Sequence, residues 1–472
     1  MTASDFYTDR PAGACPIHVI AADGLEALLG KLTDAHRGWV RSTGWQAKPG
    51  AVLALPGSDG SVAAVLAATG GPEPFWALAA LPLQLPAGSY AFADEADAAE
   101  LGQRARAWGI GQYAYSRQAN FKRAEPRKLA WPAGVDTAAI LSAVDADALV
   151  RDLVNTPAGD LGPAELSQAA AALAAASGAE FREVVGDALL AENFPAIHAV
   201  GRASVRSPRL LELRWGEPGR PRVTLVGKGV CFDTGGLNLK QPQGMRNMKK
   251  DMGGAAHVLG LAKMIMDAAL PVSLRVLIPA VENSVAGNAY RPGDVVPTRA
   301  GLTVEIGNTD AEGRVVLADA LALADEEAPE LLLDFATLTG AARIALGPDL
   351  PALFATDEAL ARDWSVAGLE QGDPLWPMPL WAPYAANLGG GIADLNNVTT
   401  DGFAGAIYGG LFLQRFVTQA KAWAHVDTFA WNPRKRAGRP EGGMSQGVRS
   451  AFELLAKRYA DDSRRASTST PA

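Results

Sequence analysis

From about residue 160 onward, short β-prone runs alternate with helical ones, and that alternation limits the fold more than any single motif does. The runs are "AIHAVG", "RLLELRW", "RVTLVGKGVCF", "SLRVLIPAV", "LLLDFATL" and "AHVDTFAW". Between them lie helical stretches such as "GGAAHVLGLAKMIMDAA", "VVLADALALADEE" and "GAIYGGLFLQRFVTQA". Strands that recur after helices call for an α/β fold with a mostly parallel central sheet flanked by helices on both faces. Such folds bind ligands outside the carboxyl ends of their strands. The charged residues at those ends are therefore the ones to follow.

Residues 1–145 alternate apolar runs ("AVLALPG", "SVAAVLAAT", "FWALAALPL") with helical pieces such as "EADAAELGQRARAWGIGQYAYSR". This predicts a smaller N-terminal α/β domain. It holds no convergent acid or nucleophile cluster, so its expected role is oligomer or accessory contacts. A connecting helix and linker are expected at 146–162, stopped by Asn-Thr-Pro and Gly. A larger C-terminal domain follows over 163–460, opening on an Ala-rich helix between Pro163 and Gly178. The polar tail at 461–472 is expected to be disordered. A chain of 472 residues suits two domains.

The net charge of −8 makes nucleic acid a poor default partner. One basic run, Arg117, Lys122, Arg123, Arg127 and Lys128, is a solvated face or a subunit or nucleic-acid contact. No apolar run approaches the roughly 18 residues of a membrane span. The N-terminus lacks the build of a signal peptide, and with Cys15 and Cys231 alone no disulfide framework is expected. Together these predict a cytoplasmic protein. Histidines 18, 36, 198, 257 and 425 show no HExxH or HxH pairing, so any metal centre is expected to be poor in histidine.

"RVTLVG" runs into Lys228, Asp233 follows in "KGVCFDTGG", and Lys240 follows in "LNLK". "NMKKDMGGAAHVLGLAK" places Asp251 at a helix start. "NTDAEGR" places Asp310, Glu312 and Arg314 just ahead of another helix, and "LLLDFATLTGAAR" ends its strand in small residues from Thr337 to Gly340. Singly, each has a structural role open to it. Asp233 suits a turn and Asp251 an N-cap. Thr309 suits an N-cap answered by Glu312 in a capping box. Alternatively, Asp310, Glu312 and Arg314 share one face of an extended segment and point at one object. Jointly, four gathered carboxylates repel. They stay ionised together only if cations neutralise them. Lysine and arginine do this in part; two divalent metals about 3.5–4 Å apart do it better.

These segments closely resemble the leucyl aminopeptidase family, the two-metal cytosolic exopeptidases. "VGKGVCFDTGGLNLK", "NMKKDMGGAA", "NTDAEGRVVLADAL" and "ATLTGAARIALG" carry the likeness, with "RDLVNTPAGDLGP", "PAVENSVAGNAYRPGDVV" and "WAHVDTFAWNP" in support. It spans roughly residues 150–460 and is loose in the N-terminal domain. The resemblance implies an aminopeptidase that hydrolyses the N-terminal peptide bond of short peptides, preferring apolar first residues such as Leu or Met. It implies two divalent ions per subunit, Mn2+, Zn2+ or Mg2+, held by Lys228, Asp233, Asp251, Asp310 and Glu312. Glu312 would then face metal and not the Thr309 amide. A lysine binds metal only as the free amine, so the Lys228 pKa is expected far below its ordinary value, as burial beside dications would cause.

The implied chemistry is metal-assisted amide hydrolysis by a hydroxide bridging both ions. Lys240, protonated, would stabilise the oxyanion. Arg314 matches the arginine that holds a bicarbonate ion acting as general base, which accounts for the missing histidine. Met248, Thr337, Leu338 and Gly340 match positions that touch the substrate's first residue, and a Met there suits apolar side chains. Lys250 departs from the small residue that the family often shows just before the aspartate, and it adds a charge near that pocket. A homohexamer with active sites facing an interior cavity is also implied. Some relatives resemble regulatory or DNA-binding accessory proteins. The basic run at 117–128 favours that alternative, and the complete ligand set argues against it. A two-metal phosphoesterase would call for histidines around the metals.

Overall fold

The computed structural model describes residues 2–9, 13–115 and 125–460. Arg117, Lys122 and Arg123 of the basic run and the tail at 461–472 lie outside the described residues. The chain divides into two compact units, Met1–Ala148 with Asn432–Glu441, and Leu149–Trp431 with Gly442–Ala472.

The first unit is built on a six-stranded sheet in the order Tyr7–Thr8, Arg127–Ala130, Gly88–Phe92, Cys15–Ile20, Val62–Ala68, Val52–Pro56. Every neighbouring pair is parallel except the edge pair 52–56 with 62–68. Two of the apolar runs are strands, but "FWALAALPL" is not. It forms the helix Pro74–Ala79, which buries Phe75, Trp76 and Ala79, and the 3-10 turn Pro82–Gln84. A short continuous apolar run carries no period that separates strand from buried helix. Residues 432–441 also belong to this unit, whereas the sequence reading placed them in the catalytic domain. Long-range contacts explain the difference. Arg439 pairs with Glu73 at 2.6 Å and lies 4.7 Å over the Trp76 ring. The division between the units falls inside the continuous helix Thr137–Asn155, where a helix and linker had been expected.

The second unit holds nine strands in its main sheet, here β1 Glu180–Val185, β2 Arg209–Trp215, β3 Arg222–Gly227, β4 Gly229–Asp233, β5 Ser273–Asn283, β6 Leu331–Ala336, β7 Ala352–Ala355, β8 Trp376–Pro377 and β9 Trp423–Asp427. They run in the order β8-β7-β9-β6-β3-β5-β2-β1, with β4 pairing on β5. The centre, β9-β6-β3-β5 together with β4, is parallel throughout. Strands β2, β1 and β7 join antiparallel. All six residues of β6 and five of the six in β3 are buried, as strands covered on both faces must be. Helices Gly253–Asp267 and Glu312–Asp325 pack on β3 and β6.

"AIHAVG" is a helix, Pro195–Gly201, and not a strand. Pro195 opens it, and Asp319 accepts hydrogen bonds from the amides of Ala196 (2.8 Å) and Ile197 (3.2 Å). A helix start thus finds its cap in a residue far away in sequence. Because the central strands are parallel, their carboxyl ends lie together. They deliver Lys228 after β3, Asp233 at the end of β4, Asn283 at the end of β5, Thr337 after β6 and Asp427 at the end of β9. Among the described residues no helix is long and apolar enough to cross a membrane.

Candidate active site

One buried ammonium group, Lys228, one half-buried one, Lys240, and four carboxylates meet at those strand ends. Lys228 Nζ lies 2.8 Å from Asp251 Oδ2, 2.9 Å from Glu312 Oε1 and 2.9 Å from the Thr337 carbonyl oxygen. Lys240 Nζ lies 2.7 Å from Asp233 Oδ2 and 2.5 Å from Asp310 Oδ1. Oxygens of Asp233, Asp310 and Glu312 come within 4.8 Å of one another. The five residues expected to hold metal, and Lys240 with them, are therefore one cluster.

Local sequence explains how each arrives. β3 breaks at Gly227-Lys228-Gly229, so the strand hands its lysine inward. A Cβ on Gly313 would meet Lys228 Cε at 2.6 Å and Nζ at 2.7 Å, so glycine at the start of the Glu312 helix leaves the room in which the amine sits. Gly235, at φ +88°, turns the loop after β4 and donates its amide to Asp233 Oδ1 at 2.8 Å. Asp251 sits in the 3-10 turn Met248–Met252 that leads into the helix Gly253–Asp267, so it does not cap that helix.

"NTDAEGR" is neither a capping box nor an extended segment. Residues 309–310 form a turn, and the helix Glu312–Asp325 begins directly after Ala311. Thr309 does not cap it. Its Oγ1 donates to the Gly235 carbonyl at 2.6 Å and accepts from the Asn238 amide at 2.9 Å. The Thr309 amide donates to Asn238 Oδ1, so Glu312 does not reach back to it. Residues two apart on a helix do not share a face. Accordingly Glu312 meets Lys228, while Arg314 Nη1 donates to the Asn397 carbonyl at 2.8 Å.

Burial and mutual repulsion raise the carboxyls of Glu312 and Asp233, against the pull of the lysines. Burial would raise Asp251 too, but Lys228, Lys250 and Lys240 outweigh it and hold it below its ordinary range. Burial alone would lower Lys228, yet Asp251, Glu312 and Asp233 outweigh it and hold the amine above its ordinary value. That is opposite to the expected free amine. Against protein charges only, the ammonium is the cation that balances these acids, and the expected fall needs dications to take that part. Lys240 is likewise held high by Asp233 and Asp251 against its burial. Burial pushes Arg314 down to about 10, opposed by Asp427 and Glu312.

Of the four residues expected to touch the first substrate residue, Thr337 contacts the cluster, Met248 shares a turn with one of its members, and Leu338 and Gly340 follow Thr337 in the chain. Thr337 Oγ1 donates to Asp251 Oδ1 at 2.7 Å, and Met248 shares the 3-10 turn with Asp251. The amides of Leu338 and Thr339 donate to Asp427 Oδ1 at 3.0 and 3.2 Å. Thr339 caps the short helix that Gly340 opens. Lys250 is buried, its Nζ 4.7 Å from the Phe429 ring centroid, and burial pushes it down to about 8.

Some residues of the cluster escaped the sequence reading. Asn283 donates to Asp233 Oδ1 at 2.8 Å and to the Thr309 carbonyl at 2.9 Å, and the Tyr290 hydroxyl donates to that same carbonyl at 2.7 Å. Asn397 accepts from the Gly307 amide at 2.8 Å and receives Arg314 on its carbonyl. The one available signal was that Asn283 also ends a strand, in "PAVEN". Of the basic run, Arg127 starts a strand, and its Nε donates to the Leu85 carbonyl at 2.8 Å.

The chain is similar to several known proteins. The chain is 44% identical over 312 residues to a probable cytosol aminopeptidase of Syntrophotalea carbinolica, a match that spans 65% of this chain and 62% of that one. The crystal structure of a cytosol aminopeptidase from Coxiella burnetii superposes with a TM-score of 0.92 at 45% identity, over 96% of this chain and all of that one. The bottromycin maturation enzyme BotP, solved in complex with Mn, superposes with a TM-score of 0.84 at 34% identity, over 95% of this chain and all of that one. The N-terminal domain of the M17 aminopeptidases matches residues 15–132. With the catalytic domain of the cytosol aminopeptidase family matching residues 148–452, the chain belongs to that family.

Proposed function

We propose that the protein is an aminopeptidase that releases the first residue of short peptides and depends on two divalent metal ions. The observation that carries this reading is the cluster itself: Asp233, Asp310 and Glu312 with oxygens within 4.8 Å of one another, flanked by Lys228, Asp251 and Lys240. Glu312 Oε2 is buried and accepts no hydrogen bond among the described residues, while Asp251 Oδ2 and Asp310 Oδ1 have only the lysine ammoniums. Two ammoniums against four carboxylates leave an excess of two negative charges, which suits added cations. The donors are oxygens and one amine, a set that Mn2+, Mg2+ or Zn2+ accepts; BotP's complex with Mn supports the first. In this reading Lys228, Asp233, Asp251, Asp310 and Glu312 are the ligands. When bound, the ions supply Lewis-acid polarisation of the scissile carbonyl and a water acidified toward neutral pH.

The chain's own groups supply the rest. Lys240 keeps its proton between Asp233 and Asp310 and places a positive charge where the oxyanion develops. Arg314 has a buried Nε without a hydrogen-bond partner among the described residues. It is our candidate to hold bicarbonate, the anion that stands in for a histidine base. Thr337 steadies Asp251, and Met248, Leu338 and Gly340 border the first side chain, favouring Leu or Met. Family likeness extends this to a homohexamer, which light scattering would test. The deciding experiment is metal analysis of the purified protein with a panel of amino-acid p-nitroanilides under added Mn2+, Zn2+ and Mg2+. Stoichiometric metal with turnover of Leu or Met substrates is expected. A protein that binds no metal and turns over none of them refutes the reading.

A further inference from the structure

Lys250 is a buried cation that the proposed reaction does not use. It is 5% exposed, and its ammonium has neither a hydrogen bond nor an ion pair among the described residues. The two acids whose charge reaches it hydrogen-bond or pair elsewhere: Asp251 with Lys228 and Thr337, and Asp427 with the Leu338 and Thr339 amides and the Thr339 hydroxyl. What the ammonium does touch is the face of Phe429, at 4.7 Å. The guanidinium of Arg343 lies 4.9 Å from the same ring, and Arg343 is exposed. A cation removed from water without a counter-charge is costly, and a ring face offsets only part of that cost.

The position of this pair matters. Phe429 lies between Asp427, which holds the 338–339 amides, and Ala430. A Cβ on Gly253 would meet both Ala430 Cβ, at 2.6 Å, and Thr337 Cγ2, at 2.9 Å, so residues 337 and 430 flank one spot. Lys250 itself follows Met248 by two residues and precedes Asp251. The two cations therefore stand at the group of residues that borders the first side chain of the substrate.

We infer that Lys250, assisted by Arg343, makes this pocket accept peptides whose first residue is acidic, glutamate or aspartate, alongside the apolar residues that Met248 and Leu338 favour. The inference rests on the aminopeptidase reading. An acidic side chain lays its methylene stem on the apolar wall and its carboxylate against Lys250, whose charge then has a partner. Glutamine has the same shape without the charge, so the glutamate-to-glutamine comparison isolates the ion pair.

The test is kcat/KM for Glu-, Gln-, Asp-, Leu- and Met-p-nitroanilide with the wild type, Lys250→Met, Lys250→Arg and Arg343→Gln. Titration calorimetry of L-glutamate against L-glutamine with the metal-loaded protein accompanies it. The wild type is expected to favour Glu over Gln by roughly tenfold, the ratio that a charge-assisted hydrogen bond at the weak end of its range supplies. Lys250→Met should remove that preference and Lys250→Arg should restore it. Arg343→Gln, an exposed position, should weaken it in a protein of unchanged melting temperature. A wild type that treats Glu no better than Gln in both turnover and binding overturns the inference, as does an unchanged ratio in Lys250→Met. If Lys250→Met does not fold, an unchanged ratio in Arg343→Gln together with no glutamate preference in binding overturns it equally. Preferential binding of glutamate with no turnover of any substrate would instead sink the aminopeptidase reading and leave the pocket assignment standing.

Discussion

Replacing Gly313 by alanine tests the site where the packing is tightest. The new methyl would sit 2.6 Å from Lys228 Cε and 2.7 Å from Nζ. Ordinary carbon contacts begin near 3.4 Å, so the lysine tip must move by about 0.8 Å. Only a flexible side-chain end is displaced, and alanine is the better helix former by up to about 1 kcal/mol. The fold should therefore survive, with a urea midpoint close to that of the wild type. The amine cannot move that far and keep contacts of 2.8 and 2.9 Å to Asp251 and Glu312. A misplacement near 1 Å at a reacting centre costs about 100-fold, or about 2.7 kcal/mol in barrier height. Gly313→Ala should thus lose about two orders of magnitude in kcat/KM on leucine p-nitroanilide, with weakened metal retention on dialysis. Activity within threefold of wild type with full metal content would refute the placement of Lys228. Loss of the folded state would refute the argument that the clash is absorbed by a side chain.

Glu312→Gln or Asp251→Asn should abolish leucine p-nitroanilide hydrolysis while leaving the circular dichroism spectrum intact; full retained activity in either ends the metal assignment. Lys240→Ala should keep near-normal metal content and lower kcat by two or more orders of magnitude, and loss of metal instead would mean its role is ligation. His257 makes a 2.6 Å contact from Nδ1 to the Gly253 carbonyl, while its Nε2 accepts from the Gln446 amide at 3.0 Å, so the ring is neutral. Burial pushes its pKa down to about 4, against the Gly253 carbonyl and Asp373. A depressed folded value means that the stability is present above the ordinary pKa of 6.5 and is lost as pH falls toward 4, by up to about 3 kcal/mol. Urea denaturation of His257→Gln should show a flatter profile between pH 7 and 4.5 than the wild type; parallel profiles would contradict this.

Much of the site was legible because its chemistry is charged and its residues lie at strand ends. Lys228, Asp233, Asp251, Asp310 and Glu312 carry formal charge in apolar surroundings, which a sequence displays openly. Asn283 was not legible. It bridges Asp233 to the Thr309 carbonyl, yet as a neutral amide at the end of "PAVEN" it looks like any turn residue. Thr309 was misjudged for a related reason. Its local pattern spells a capping box, but Asn238 and Gly235 take its amide and hydroxyl first. A capping box is a bid for unsatisfied amides, and a distant partner that arrives with better geometry wins it.

The sequence by itself determined the parallel α/β architecture of the larger unit, since strand-helix alternation admits little else. It also placed the charged side chains Lys228 and Asp233 at strand ends. Only the tertiary structure decided that "AIHAVG" coils, because Asp319 supplies the acceptor for its first amides. Only the tertiary structure returned residues 432–441 to the first unit, through Arg439 on Glu73 and Trp76. And only the tertiary structure left Lys250 buried against Phe429 with no ion pair among the described residues. The division has one physical cause. Periodicity and charge are local properties of a chain, whereas the partner that satisfies a buried amide or leaves a buried charge unmatched is chosen by packing between residues far apart in sequence.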